Sequence, residues 1–110
     1  MTDRPLRISL LALPQSSGSV LYGLYDVLGS IGTVWTEMTG QGDGRPLTEV
    51  RIVSTAREPF RAWGGVPVAP DLALAEVTET DVVIVSDLAL PLDIDPRGRW
   101  PAEAAWLARL

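Results

Sequence analysis

Cysteine, histidine and lysine are missing from this 110-residue sequence. Without cysteine there is no disulfide, no thiolate nucleophile and no thiolate metal ligand. Without histidine there is no imidazole acid or base, and the usual zinc ligand sets cannot form. No catalytic residue, metal site or cofactor is therefore expected. All nine basic residues are arginines, spread along a chain of net charge −5. Phosphate binding needs concentrated positive charge, so this segment is not expected to grip nucleic acid by itself. Long hydrophobic runs are missing too. Ile8 to Leu13 is almost wholly apolar but stops at Pro14, far short of the ~20 residues that cross a bilayer. The start, Met1-Thr2-Asp3-Arg4-Pro5, is polar, and no small-residue cleavage site follows it. A cytoplasmic protein without membrane contact is the expectation.

Apolar residues make up 46% of the chain and charged residues 21%. That composition suits one small globular domain. Leu6 to Leu13, bounded by Pro5 and Pro14, reads as a strand buried on both faces. Pro14 to Ser19 is a turn, with Ser19 as the candidate cap of the next helix. From Val20 to Ile31 the period changes, and Val20, Leu21, Leu24, Val27, Leu28 and Ile31 share one helical face. Gly32 is the expected stop. The pattern of Val34 to Met38 fits either element, and Thr39 to Pro46 is a loop. Glu49 to Thr55 is a second strand. Phe60 to Pro70, with Gly64-Gly65 inside it, is a short irregular hairpin. Asp71 to Glu76 suits one or two helical turns capped by Asp71. Asp81 to Ser86 is a third buried strand, Leu88 to Arg99 a proline-rich loop, and Pro101 to Leu110 a helix with Pro101 in its first turn. Strand–helix alternation of this kind predicts a mostly parallel sheet with helices on its faces. The last helix has no glycine cap or polar tail and should feed another strand, so the chain is expected to continue beyond Leu110.

Few side chains stand out as chemistry. Gly40-x-Gly42-x-Gly44 does not lie between a strand and a helix and is no nucleotide fingerprint. Asp93 and Asp95 lack a third nearby ligand and read as a solvated loop. Ser16-Ser17 has no histidine or lysine base to activate a hydroxyl. Gly64-Gly65 suits a turn, with a ligand contact through its N–H groups as the second reading. Asp26, opposite an apolar stripe, reads as solvated first and as a pocket or partner contact second. Trp63 and Trp100 lie in loops and can line a pocket or an interface, whereas Trp35 and Trp106 suit packing.

Several stretches match a known pattern in order and spacing. Ile8-Ser9-Leu10-Leu11-Ala12-Leu13-Pro14 resembles the first strand of the ThiJ/PfpI (class I glutamine amidotransferase-like) superfamily. Leu21-Tyr22-Gly23-Leu24-Tyr25-Asp26-Val27-Leu28 resembles its first helix, and Val50-Arg51-Ile52-Val53-Ser54 its second strand. Arg61 to Asp71, with Gly64-Gly65 and Val68-Ala69-Pro70-Asp71, is similar to its glycine-glycine stretch, and Asp81-Val82-Val83-Ile84-Val85 to the strand that follows. Pro101 to Leu107 is similar to the helix upstream of the nucleophile elbow in GlxA-type regulators. In those proteins a ThiJ/PfpI-like domain precedes an AraC-family helix-turn-helix domain. The resemblance implies a partial flavodoxin-like three-layer α/β sandwich, with residues 1–110 ending before the elbow strand and holding no DNA-binding domain.

Counting back from Asp26, the family's acidic partner of its catalytic cysteine falls on Val20, which can neither hold a thiolate nor move a proton. Ser86-Asp87-Leu88 stands where the family has Pro-Gly-Gly, whose backbone N–H groups face a reacting oxygen. The resemblance thus implies a non-catalytic ligand-sensing and dimerisation segment. Its pocket would lie above the strand ends, with Ser16, Val20, Asp26, Gly64, Gly65, Ser86 and Asp87 as candidate lining residues. Ser86 and Asp87 also suit a capping role. A small-molecule effector, a homodimer of the full-length form, and DNA contact only through a domain absent from this chain follow as expected partners. Two other readings stay open. One is a fragment of a ThiJ/PfpI enzyme of isonitrile hydratase-like, amidase-like or protease-like type, with its cysteine downstream. The other is a degenerate remnant that folds poorly and exposes a sheet edge.

Overall fold

The computed structural model describes residues 4–110; Met1-Thr2-Asp3 of the polar start lie outside the described residues. The chain runs β1 (Leu6–Leu11), α1 (Gly18–Gly29), α2 (Val34–Thr39), β2 (Thr48–Ser54), β3 (Phe60–Arg61), β4 (Pro67–Val68), β5 (Leu72–Ala73), a 3₁₀ turn over Leu74–Glu76, β6 (Val82–Val85) and α3 (Pro101–Ala108). Four strands form one parallel sheet in the order β5-β2-β1-β6, and β3 and β4 form a separate antiparallel hairpin.

The continuous apolar run of β1 is explained by its central place. Leu10 lies between Ile52 and Ile84, and Leu11 between Val53 and Val85. Leu10 and Ala12 are fully buried, and Leu11 and Leu13 nearly so. Alternate side chains serve opposite faces of the sheet. Ile8, Leu10, Ala12 and Ile52 pack with Leu21 of α1 and with Ala62 and Val68 of the hairpin. Leu11 and Val53 pack on the other side with Leu74 and with Trp106 of α3. Helices on both faces of a parallel sheet make the expected three layers. Among the described residues, no helix is long and apolar enough to cross a membrane.

Three local expectations are corrected. Helix α1 begins earlier than its apolar period suggested: its N-cap is Ser17, not Ser19, and it ends at Gly29, ahead of Gly32. Its buried stripe is also narrower. Leu21, Leu24 and Leu28, with Tyr22, face the core, while Val20, Val27 and Ile31 are exposed at 42%, 67% and 41%. A close approach helps set this rotation: a Cβ at Gly18 would stand 2.9 Å from Cβ of Val66 in the hairpin. The third correction concerns Asp71, which caps no helix. Its N–H donates to the carbonyl of Ile52 (2.8 Å), and its Oδ2 accepts the N–H of Ile52 (2.8 Å). This two-way lock holds the segment extended, so it enters the sheet as β5 and leaves only the 3₁₀ turn beyond. Val34–Thr39 resolves as a helix, closed by Gly40 in the left-handed region.

Removing a buried leucine leaves a cavity, whereas trimming an exposed valine does not. Leu21→Ala is expected to lower unfolding free energy by about 2–5 kcal/mol. Val27→Ala should change it by no more than about 0.5 kcal/mol. Urea unfolding of the two variants beside the parent chain measures both.

Candidate functional site

In open α/β sheets the crevice at the carboxyl ends of the strands is the place to look for ligand chemistry. Here β1 leads into the turn Pro14–Ser17. The N–H of Ser16 donates to the carbonyl of Leu13 (2.9 Å), and the N–H of Leu13 donates to Oγ of Ser16 (3.1 Å). Ser16 is fully buried. Its hydroxyl organises the turn and is not presented to a ligand.

The turn is gripped from two sides. On one side the β3–β4 hairpin reaches it: Trp63 N–H donates to the Ser16 carbonyl (2.9 Å), and Trp63 forms a β-bridge with Ser17. Gly64 and Gly65 make that reach feasible. Their φ angles of +91° and +99° are ones L side chains rarely adopt, and Gly65 N–H closes the loop onto the Ala62 carbonyl (2.9 Å). Their role is a turn. On the other side the loop after β6 reaches it: Ala89 N–H donates to the Gln15 carbonyl (2.8 Å), and Trp100 Nε1–H donates to Gln15 Oε1 (3.2 Å).

Asp87 is the charged centre of this joint. Its Oδ1 accepts the Ser17 N–H (3.0 Å) and the Ser86 hydroxyl (3.2 Å), and its Oδ2 accepts the Ser17 hydroxyl. The Ser17 hydroxyl, then the Ser17 N–H, and last the Ser86 hydroxyl hold this carboxyl below its ordinary range, against a smaller opposing effect of partial burial. Asp87 therefore stays ionised at the amino end of α1, where negative charge is favoured by the helix dipole. An ionised carboxylate of lowered pKa is a poor proton acceptor at neutral pH. The Ser17–Asp87 pair thus clamps the start of α1 to the loop after β6.

The remaining candidates are spread out. Val20 is on the first turn of α1, exposed and apolar. Asp26 is exposed and sits at the opposite end of the sheet. It borders a cleft of about 420 Å³ shared with Thr33, Thr48 and Val50. Of the seven sequence candidates, the structure joins Ser16, Ser86 and Asp87 through one hydrogen-bonded turn. It sets Gly64 and Gly65 beside that turn as the hairpin tip, leaves Val20 near it, and separates Asp26. Of the loop aspartates, Asp95 is engaged by the backbone N–H of Arg97 (2.9 Å) and by its guanidinium. Arg97 also holds the Asp95 carboxyl below its usual range.

Two features escape a reading of the sequence. Glu103 of α3 is only 8% exposed, and its Oε1 accepts the Thr55 hydroxyl (2.5 Å). It borders an apolar cleft of about 150 Å³ with Leu11, Leu13, Val85, Leu88, Trp100 and Leu107. Nothing in the alanine-rich α3 sequence marks this glutamate as the buried one. Trp100 adopts φ 54°, the one non-glycine residue in the left-handed region among those described, at a cost of about 1–2 kcal/mol. Pro101 disfavours the right-handed region for the residue before it. The Trp100 carbonyl accepts the Ala104 N–H (2.9 Å), which starts α3. A larger cleft, about 360 Å³, lies at the amino half of the sheet, among Arg7, Ser9, Glu49, Arg51, Glu76 and Glu79. Its charges are already paired, Arg7 with Glu79, Arg51 with Glu49 and Arg57 with Glu76.

No protein-family model matches the sequence, and no curated protein matches it at the significance threshold. Among solved structures, the fold is similar to that of a Vibrio parahaemolyticus protein provisionally designated a transcriptional regulator. The TM-score is 0.65 at 21% identity, over 97% of this chain and 51% of that one. The chain thus spans about half the length of that protein.

Breaking the clamp tests its structural weight. Ser17→Ala removes the hydroxyl that donates to the Asp87 carboxylate and is expected to cost about 1.5–3 kcal/mol, the range for a hydrogen bond to a charged group. The carboxyl's folded pKa is depressed, so its contribution is present above the unfolded value of about 3.9 and is lost as pH falls through the lower folded value. The difference in stability between parent and Asp87→Asn should accordingly be full at neutral pH and shrink on acidification. Urea unfolding across that range checks it.

Proposed function

We propose that this chain is a non-catalytic ligand-sensing and dimerisation segment of a cytoplasmic transcriptional regulator. We place it in the ThiJ/PfpI superfamily, nearest the GlxA-type regulators that join such a domain to an AraC-family DNA-binding domain. The observation that carries the proposal is the Ser17–Asp87 clamp. The amino end of α1, where backbone N–H groups are available to stabilise an oxyanion, is occupied by the protein's own carboxylate. A tetrahedral intermediate forming there would meet a negative charge, the opposite of what acyl transfer needs. Val20, at the position matching the family's acid, adds no proton-transfer group. The likeness of fold to a protein provisionally designated a transcriptional regulator supports the same reading.

In this reading an effector binds near the carboxyl ends of β1 and β6, and the loop after β6 moves with it. Asp87 and Gln15 couple that loop to α1 and to the turn after β1. A ligand acts only through its different affinity for two arrangements of these parts. Because Asp87 already takes the anion-favouring position, the effector's group at α1 is neutral or cationic.

Transcript profiling of source cells is the decisive test. Carrying Asp87→Asn and Ser17→Ala at the native locus, with the product still present at its normal level, should change the abundance of a defined gene set. An unchanged transcript profile would refute the regulator reading. Hydrolysis of amides or hydration of isonitriles by the purified native product, abolished on mutation of this segment, would favour the enzyme instead.

A further inference from the structure

Two local rules agree about Trp100, and the fold overrides both. The residue that caps the start of a helix is typically extended, and a residue before proline is steered to the same region. Trp100 caps α3 ahead of Pro101, yet it stands in the left-handed region at φ 54° and ψ 51°. That conformation is unfavourable for a residue with a Cβ, so a tertiary contact has to hold it.

The contact is Gln15. The Trp100 Nε1–H donates to Gln15 Oε1 (3.2 Å), and Trp100 walls the apolar cleft with Leu11, Leu13, Val85 and Leu88. Gln15 also holds the other end of the same loop, because its carbonyl accepts the Ala89 N–H (2.8 Å). One residue thus fastens the loop at both ends, by its backbone at Ala89 and by its side chain at Trp100. Between these ends the loop is tied to itself. Ile94 N–H donates to the Pro91 carbonyl (3.0 Å) and Arg99 N–H to the Pro96 carbonyl (3.3 Å), and Arg97 engages Asp95. A stretch tied in this way moves as a unit about its ends.

The two ends are not equally strong. Beside Ala89, the Asp87 carboxylate accepts the N–H of Ser17 (3.0 Å) and its hydroxyl, and such charge-assisted bonds are roughly twice as strong as neutral ones. At Trp100 one neutral hydrogen bond and the packing of the ring work against an unfavourable backbone conformation. The Trp100 end therefore opens first.

We infer that residues 88–100 form a strap latched by Gln15: when the bond to Gln15 Oε1 is lost, Trp100 relaxes to the extended region and its ring swings off the apolar cleft, while Asp87 and Ala89 keep the near end in place. An extended cap still offers its carbonyl to the helix, so the bond from Ala104 N–H to Trp100 survives and α3 stays folded. A molecule that offers an N–H or O–H donor to Gln15 Oε1 competes with the indole and favours the released arrangement. The inference stands on contacts within the chain and does not depend on the regulator reading.

Trypsin digestion of the purified native product tests it, since cleavage of a folded protein follows the population of the opened form. The Arg99–Trp100 bond lies at the hinge, whereas Arg51 lies in β2, which is paired on both sides. Gln15→Leu removes the acceptor at nearly the same size and keeps the backbone carbonyl. Cleavage after Arg99 is expected to rise about five-fold, the equivalent of one neutral hydrogen bond, with cleavage after Arg51 unchanged. Trp100→Phe, which keeps a ring but has no donor, should behave alike. Gln15→Glu keeps an acceptor and should match the parent. Unchanged cleavage after Arg99 in both Gln15→Leu and Trp100→Phe would overturn the latch. A parallel rise after Arg51 would show loosening of the whole sheet and overturn it equally. A rise in Gln15→Glu as large as in Gln15→Leu would trace the effect away from the acceptor and do the same.

Discussion

Strand β1 is paired on both sides and covered on both faces, and the other elements take their positions from it. Its even-numbered residues Ile8, Leu10 and Ala12 build the core beneath α1 and the hairpin, while Leu11 builds the smaller core beneath α3. A strand so placed can carry no charged side chain in its second half, which is why Ile8 to Leu13 reads as a nearly unbroken apolar run. Its first half tolerates polarity because the amino half of the α3 face is open: Arg7 and Ser9 face the charged cleft there.

At the carboxyl end of this strand the backbone has to turn without a partner strand, and the fold supplies partners from two loops. The hairpin donates Trp63 N–H, and the loop after β6 donates Ala89 N–H and the Asp87 carboxylate. Ser17 caps α1 but makes no side-chain cap bond within its own helix; its hydroxyl turns to Asp87, seventy residues away. The cap is therefore a tertiary contact, and it ties the start of the first helix to the end of the last strand. A group binding at this crevice meets a turn held by hydrogen bonds from the hairpin on one side and from the loop after β6 on the other.

Much of the element order was legible because period and turn chemistry are local. The strands near residues 6–13, 49–55 and 81–86, the hairpin around Gly64-Gly65 and the helix opening at Pro101 all follow from apolar spacing, glycine and proline. Of the site, the importance of the turn at Ser16 and of Ser86-Asp87 was legible from their place at strand ends. What they bond to was not. Asp71 looked like a helix cap because aspartate before an apolar stretch has that propensity, yet the N–H of Ile52 was a better partner and drew the segment into the sheet. Propensity is a weak prior where a long-range backbone partner is on offer.

By itself the sequence determined the class of the fold and what chemistry is absent from it. Apolar runs of strand length alternating with helical stripes admit a parallel α/β sheet, and the lack of cysteine and histidine is independent of conformation. Only the tertiary structure decided which stripe of α1 is buried, that Asp87 clamps Ser17, and that Glu103 lies inside. Each of these depends on residues brought together from far apart in the chain, and helical period or strand alternation constrains only neighbours within a few residues.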